Sequence, residues 1–266
     1  MNSSDHNQDN DEELLEGGKV MSIWDHLTEL RTRLVRSLIF VVILFVVALP
    51  FSEYIIHFLK IPLVSALPEA NTALHFTGPM DAFMSSLKVC VFVSIILGCP
   101  IWLWQMWKFF EPALYPSERK YIAPFAIISV LQFFLGVFFA FYVILPIALE
   151  FLISFGLRIG TPIITINDYL SLLSLMVLGF GFVFEAPVLL VLLALLDLVD
   201  VESLTKNRGV VVVVILVMGA MFTPPDPFSQ VAMAGPLYLM FELSILLIKL
   251  LKKKKNKPTK PNSQNA

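Results

Sequence analysis

The motifs that covalent and metal chemistry need are missing from this 266-residue sequence. It has no HExxH, no GxSxG-like elbow and no paired aspartates in an apolar run, which removes the usual intramembrane enzymes; the HLTEL stretch from His26 has the wrong spacing for a zinc helix. It has two cysteines, Cys90 and Cys99, nine residues apart. At about 100° per residue they face opposite sides of one helix, so neither a disulfide nor a metal pair is spaced here. The basic-then-apolar leader of a signal peptide is absent, because Asp5, Asp9, Asp11, Glu12, Glu13 and Glu16 crowd the start. No internal repeat is visible, which weakens an inverted-repeat transporter. Charge is also scarce: 15% of residues carry one, against 57% hydrophobic and a mean hydropathy of +0.80. Soluble domains run near 45–50% apolar, so this is a polytopic membrane protein.

Uncharged stretches give six candidate spans, at about 34–52, 83–107, 120–149, 168–197, 209–222 and 228–249. They divide the chain into an acidic disordered leader (1–22), a six-span membrane domain (23–250) and a Lys-rich tail (251–266). The fifth span covers only about 21 Å of a hydrocarbon core of about 30 Å. Sixteen of the nineteen Lys and Arg fall on one face of this arrangement, leaving Lys60, Lys88 and Arg158 for the other. Basic loops stay cytoplasmic, so both termini are expected there. The outward segments 53–80 and 150–168 read as caps, the first with short helices. The third outward segment is a tight turn at Pro224, Pro225, Asp226 and Pro227, closing a shallow hairpin that predicts local bilayer thinning or a water-filled recess.

Glu185 is the only charge in the apolar run 169–196. A carboxylate at bilayer depth is a functional-site candidate, and as the neutral acid it can donate to a polar group on another helix. Pro187, two residues on, removes the hydrogen bond to the Val183 carbonyl and couples the glutamate to a helix defect. Glu242 shares a helix face with Lys249 and reads as a snorkelling structural pair; Lys88 reads as a snorkelling lysine. Residues 26–36 read as an amphipathic helix entering the first span, in which Glu29 and Arg33 at i and i+4 could simply pair. Glu118 lies in the first turn of the third span, where the macrodipole favours an acid. Glu29 and Glu118 nonetheless share the face that concentrates cations, and two acids suit a ligand with two guanidinium groups.

Four motifs carry a family resemblance: HLTELRTRL from His26, FFEPALYPSERK from Phe109, FGFVFEAP from Phe180 and TPPDPFSQ from Thr223. In this order they resemble the TatC family, the polytopic core of the twin-arginine protein translocase, over about residues 24–250. The resemblance implies an all-α integral membrane protein of six transmembrane helices, a concave glove-like bundle with two short last helices and both termini cytoplasmic. By motif position it assigns Glu29, Arg31, Phe109 and Glu118 to recognition of twin-arginine signal peptides. It assigns Glu185 to contact with single-span TatA or TatB partners, and Pro224, Pro225 and Asp226 to the outward turn. The function expected is that of a non-enzymatic receptor without cofactor or metal, in a bacterial inner membrane, exporting folded proteins with the proton-motive force. A proton-coupled transporter titrating Glu185 is the alternative.

Overall fold

The computed structural model describes residues 23–67, 75–114, 119–160, 163–223 and 227–255. The regular structure of these residues is helical apart from one bridge between His75 and Thr165. The chain runs through α1 (Ile23–Ala48), cap helices α2 (Ser52–Leu59) and α3 (Ile61–Ala66), α4 (Pro79–Phe110), α5 (Ile122–Phe139), a π-helical stretch (Ala140–Ile144) and α6 (Leu145–Leu157). It continues through α7 (Ile166–Phe184), α8 (Ala186–Leu195), α9 (Val201–Lys206), α10 (Arg208–Phe222) and α11 (Pro227–Lys255). Five helical segments are long and apolar enough to cross a membrane, namely Trp24–Ala66, Pro79–Phe110, Arg119–Leu157, Ile166–Leu195 and Phe228–Leu250, and the shorter Arg208–Phe222 makes the sixth. These are the six expected spans.

Three details differ from the sequence reading. Only one of the last two helices is short: α10 has 15 residues, about 22 Å, whereas α11 has 29, because its apolar run passes Pro236 without a break and ends in lysines. The third span extends to Leu157 instead of stopping at 149, since residues 151–155 carry no breaker and the first one, Gly156, stands at the helix end. Within that span Pro146 has no N–H to give the carbonyl four residues back, and the ladder widens to a π-helical stretch immediately before it. The leader 1–22 and the residues of the tail beyond Lys255 lie outside the described residues, as do Pro224, Pro225 and Asp226.

The central helix is α7, whose flanks meet α4, α5 and α10. Leu173, Met176, Val177, Phe180 and Phe184 are buried there. Lipid tails are as apolar as leucine, so close backbone approach has to supply what water exclusion cannot. Glycine permits it on both flanks: a methyl on Gly136 would lie 2.8 Å from the Phe180 carbonyl oxygen, one on Gly181 would lie 2.7 Å from the Phe133 ring, and one on Gly179 would lie 2.3 Å from the Phe222 ring of α10. Cys90 and Cys99 are both buried although they face opposite ways, because α4 is covered by α1 on one side and by α5 and α7 on the other. At the far end from the start of α1, the Tyr169 hydroxyl donates to the Leu59 carbonyl. His75 there exchanges backbone hydrogen bonds with Ile164 and Ile166 at 3.3 and 3.2 Å. The first cap is thereby tied to the start of α7.

Gly136→Ala should force α5 and α7 apart, because the Phe180 carbonyl is backbone and cannot yield. A lowered Tm in detergent, by a cost of about 1–3 kcal/mol, is expected. Gly78→Ala, with nothing within 4 Å, should leave Tm unchanged in the same assay.

Candidate functional site

At the end of the bundle where α1 begins, the first turns of α1 lie against the last turns of α4. His26, Glu29 and Arg33 recur at helical spacing on one α1 stripe, which faces Gln105 and Phe109. The His26 ring stacks on Phe109 at 4.3 Å between centroids and 18° between planes. The Arg33 guanidinium pairs with one oxygen of Glu29 and donates to Gln105 Oε1 at 3.3 Å. The ion pair that the spacing allowed is therefore present. Yet it engages only Glu29 Oε1; Oε2 is buried with no hydrogen-bond partner. A half-coordinated carboxylate shielded from water, beside an aromatic stack, is suited to accept a planar, charged donor.

Of the four residues expected at this corner, Glu29 and Phe109 are brought together, joined through His26. Arg31 is exposed and, two residues from both Glu29 and Arg33, points off that stripe. Glu118 lies outside the described residues. Nearby, Lys108 pairs with Glu111 at 2.9 Å and sits 5.8 Å from the Trp104 ring centre. The sequence reading had Arg33 as the partner of Glu29 but missed His26 and Gln105 as members of the corner; the i−3 position relative to Glu29 was a usable signal for His26. No such signal existed for Gln105.

Deeper in the bundle, Glu185 occupies the break between α7 and α8. Its N–H bonds back to the Phe182 carbonyl at 3.0 Å, and its own carbonyl accepts from Leu189 at 3.0 Å, so the chain makes one tight turn where Pro187 interrupts the ladder. The expected polar partner on another helix is Ser129 of α5. The buried Trp107 indole of α4 donates to the Ser129 oxygen at 2.8 Å, which leaves the Ser129 hydroxyl proton for the glutamate. The second carboxylate oxygen, Oε1, is buried without a partner. Beside the break, α7 and α8 face α10 and α11 across a recess of about 250 Å³ lined by Pro187, Leu190, Val214, Met218, Phe241 and other apolar side chains. A wall without polar groups offers water no partners in this recess.

Two other expectations change. Glu242 pairs with Arg208 at 2.9 Å and accepts from the Tyr238 hydroxyl at 2.9 Å; Lys249, two turns further along the same rod, is too far to compete with a helix folded alongside. Lys88 does not snorkel freely: its ammonium donates to Asn167 Oδ1 at 2.6 Å and Ser171 Oγ at 2.7 Å on the first turns of α7.

Six helices, a polar corner at one end and a carboxylate at depth define a multi-pass α-helical membrane protein. The TatC family, described as Sec-independent protein translocase protein, matches residues 25–236, and the chain belongs to that family. Sec-independent protein translocase protein TatC of Campylobacter jejuni is 38% identical over 225 residues, covering 84% of this chain and 92% of the relative. The protein of the same name from Escherichia coli K12 is 37% identical over 223 residues, covering 83% and 85%. A crystal structure of the twin arginine translocase receptor TatC superposes with a TM-score of 0.72 at 36% identity, covering 85% of this chain and 99% of that one. The chain is accordingly a subunit of the Sec-independent translocase, a protein-transport system and not a catalytic family.

Ser129→Ala should strand the Trp107 N–H and remove the donor to Glu185. Hydrogen bonds between membrane helices are worth about 0.6–2 kcal/mol, so a small drop in Tm is expected. A larger change should appear in the Trp emission spectrum, whereas Ser154→Ala, an exposed serine bonded only within its own helix, should alter neither.

Proposed function

We propose that this chain is the receptor subunit that binds the twin-arginine signal peptide of folded export substrates on the cytoplasmic side of a bacterial inner membrane. It would then assemble with TatA- or TatB-type single-span partners for export driven by the proton-motive force. The reading rests on one observation: Glu29 keeps a buried carboxylate oxygen without a partner, next to the His26–Phe109 stack and at the end of the bundle that concentrates Lys and Arg. In that basic surrounding a cationic ligand gains nothing from the background field and must find a carboxylate. One arginine of the signal would take Glu29 Oε2, in exchange with or alongside Arg33, and Glu118 would receive the other. Arg31, off the stripe, would meet the peptide from the side.

Glu185, with its second oxygen unbonded, is the group that would recruit a partner helix, because a polar side chain on that helix would satisfy it in hydrocarbon. Pro224, Pro225 and Asp226 would form the outward turn of the hairpin. In this arrangement the six spans form a concave wall, both termini lie in the cytosol, and the segments 1–22, 23–250 and 251–266 act as leader, membrane domain and tail. The proton-coupled transporter loses support, since the recess beside Glu185 is apolar.

Site-specific photo-crosslinking of a twin-arginine peptide to the chain in membranes tests recognition. Glu29→Ala and Glu118→Ala should each weaken capture by roughly tenfold, since a charge-assisted bond contributes about 1.5–3 kcal/mol, and the double variant should abolish it. A twin-lysine peptide should be captured poorly by every form. Undiminished crosslinking in the double variant overturns the receptor reading.

A further inference from the structure

A second groove lies on the lipid-facing side of the bundle, where α5, α8 and α11 meet. It encloses about 320 Å³ and is walled by Phe125, Ile128, Val188, Val191, Leu243 and Leu247 among others. Its two polar residues are already satisfied within the wall: the Gln132 amide donates to the Met240 sulfur at 3.3 Å and the Ser244 hydroxyl to the Met240 carbonyl at 2.9 Å. The rest of the wall is apolar, so the groove suits a hydrocarbon chain.

What stands above the groove is charge. The α5 wall begins directly after Arg119 and Lys120, both exposed, with the Lys120 ammonium 5.3 Å from the Tyr121 ring centre. The α11 wall runs past the exposed Lys249 and stays helical through Lys252, Lys253, Lys254 and Lys255. At about 1.5 Å per residue the groove ends some 7–10 Å short of these cations on both sides, from Phe125 back to Lys120 and from Leu247 on to Lys254. The one acid on α11, Glu242, is neutralised by Arg208. An apolar slot whose α5 and α11 walls both lead into basic sequence complements an acyl chain bearing an anionic headgroup.

We propose that this groove is a specific site for an anionic phospholipid, its acyl chain lying between α5, α8 and α11 and its phosphate held by Lys120 and the lysines that end α11. The site is separate from the α1–α4 corner and does not depend on signal-peptide recognition.

Delipidated full-length protein in detergent, titrated with phosphatidylglycerol or with phosphatidylcholine of the same acyl chains, supplies the test, with retained lipid counted by native mass spectrometry. Phosphatidylglycerol should be retained with roughly tenfold preference, and glycerophosphoglycerol, which has no acyl chain, should not be retained. Replacing Lys252, Lys253, Lys254 and Lys255 together by Gln should erase the preference, and replacing them by Arg should keep it. Leu247→Trp and, on the facing α5, Ile128→Trp, both at exposed positions of the groove wall, should each remove the bound lipid while the lipid-free Tm holds, the second variant covering the case where the first misfolds. Equal retention of the two phospholipids overturns the proposal, as does a preference that survives both the charge and the groove variants. So does loss of a co-purifying single-span protein from the groove variants while lipid stays bound, which would make the groove a helix seat.

Discussion

Inside a bilayer a polar group cannot fall back on water, and the arrangement of this chain follows from that constraint. Among the described residues, most polar side chains at depth are caught by a neighbour. Lys88 is taken by Asn167 and Ser171, Arg208 by Glu242, the Trp107 indole by Ser129, and the Trp102 indole by the Ile95 carbonyl one turn before Pro100. Two carboxylates, Glu29 and Glu185, each keep one buried oxygen unbonded, as do the hydroxyls of Ser85 and Ser174. An unpaired acceptor in such a medium costs about 1–3 kcal/mol. At the two carboxylates that cost falls on sites singled out as candidates by other arguments.

The same constraint explains why the helices approach so closely at α5 and α7. With no hydrophobic driving force between spans, cohesion depends on atom-to-atom contact, and Gly136 and Gly181 remove the side chains that would hold the backbones apart. Phe133, Phe180 and Phe184 fill the space around them, with ring centroids about 5.4–6.5 Å from Trp102, Phe139 and one another. Rigid packing there fixes the break at Glu185 relative to Ser129, so the polar pair is positioned by an apolar interface.

Much of this was legible in the sequence because hydropathy and charge are one-dimensional signals. Six spans, the amphipathic start of α1, the Glu29–Arg33 pair and the anomaly of Glu185 need nothing beyond spacing. Partners across helices were not legible. Ser129 and Trp107 are ordinary residues in their own spans, and only packing brings them to Glu185. Glu242 illustrates the error in reverse: Lys249 is near it in sequence and on its face, but a hairpin partner 34 residues earlier is nearer in space. Helix ends failed as well, at Leu157 and Lys255, because apolar or lysine-rich sequence carries no stop signal that a flanking charge count can detect.

The first span packs principally on α4 and is otherwise almost bare, with 6% of its most apolar window buried. It is also a nearly unbroken rod, about 39 Å from Ile23 to Ala48, with one end at the Glu29 corner and the other running into a cap that is tied to α7. Such a member behaves as a lever: a tilt of 5° about its capped end would swing the corner by about 3 Å, roughly the length of a hydrogen bond. Mechanical information about which residues hold Glu29 could therefore cross the membrane along one helix, with no rearrangement of the core.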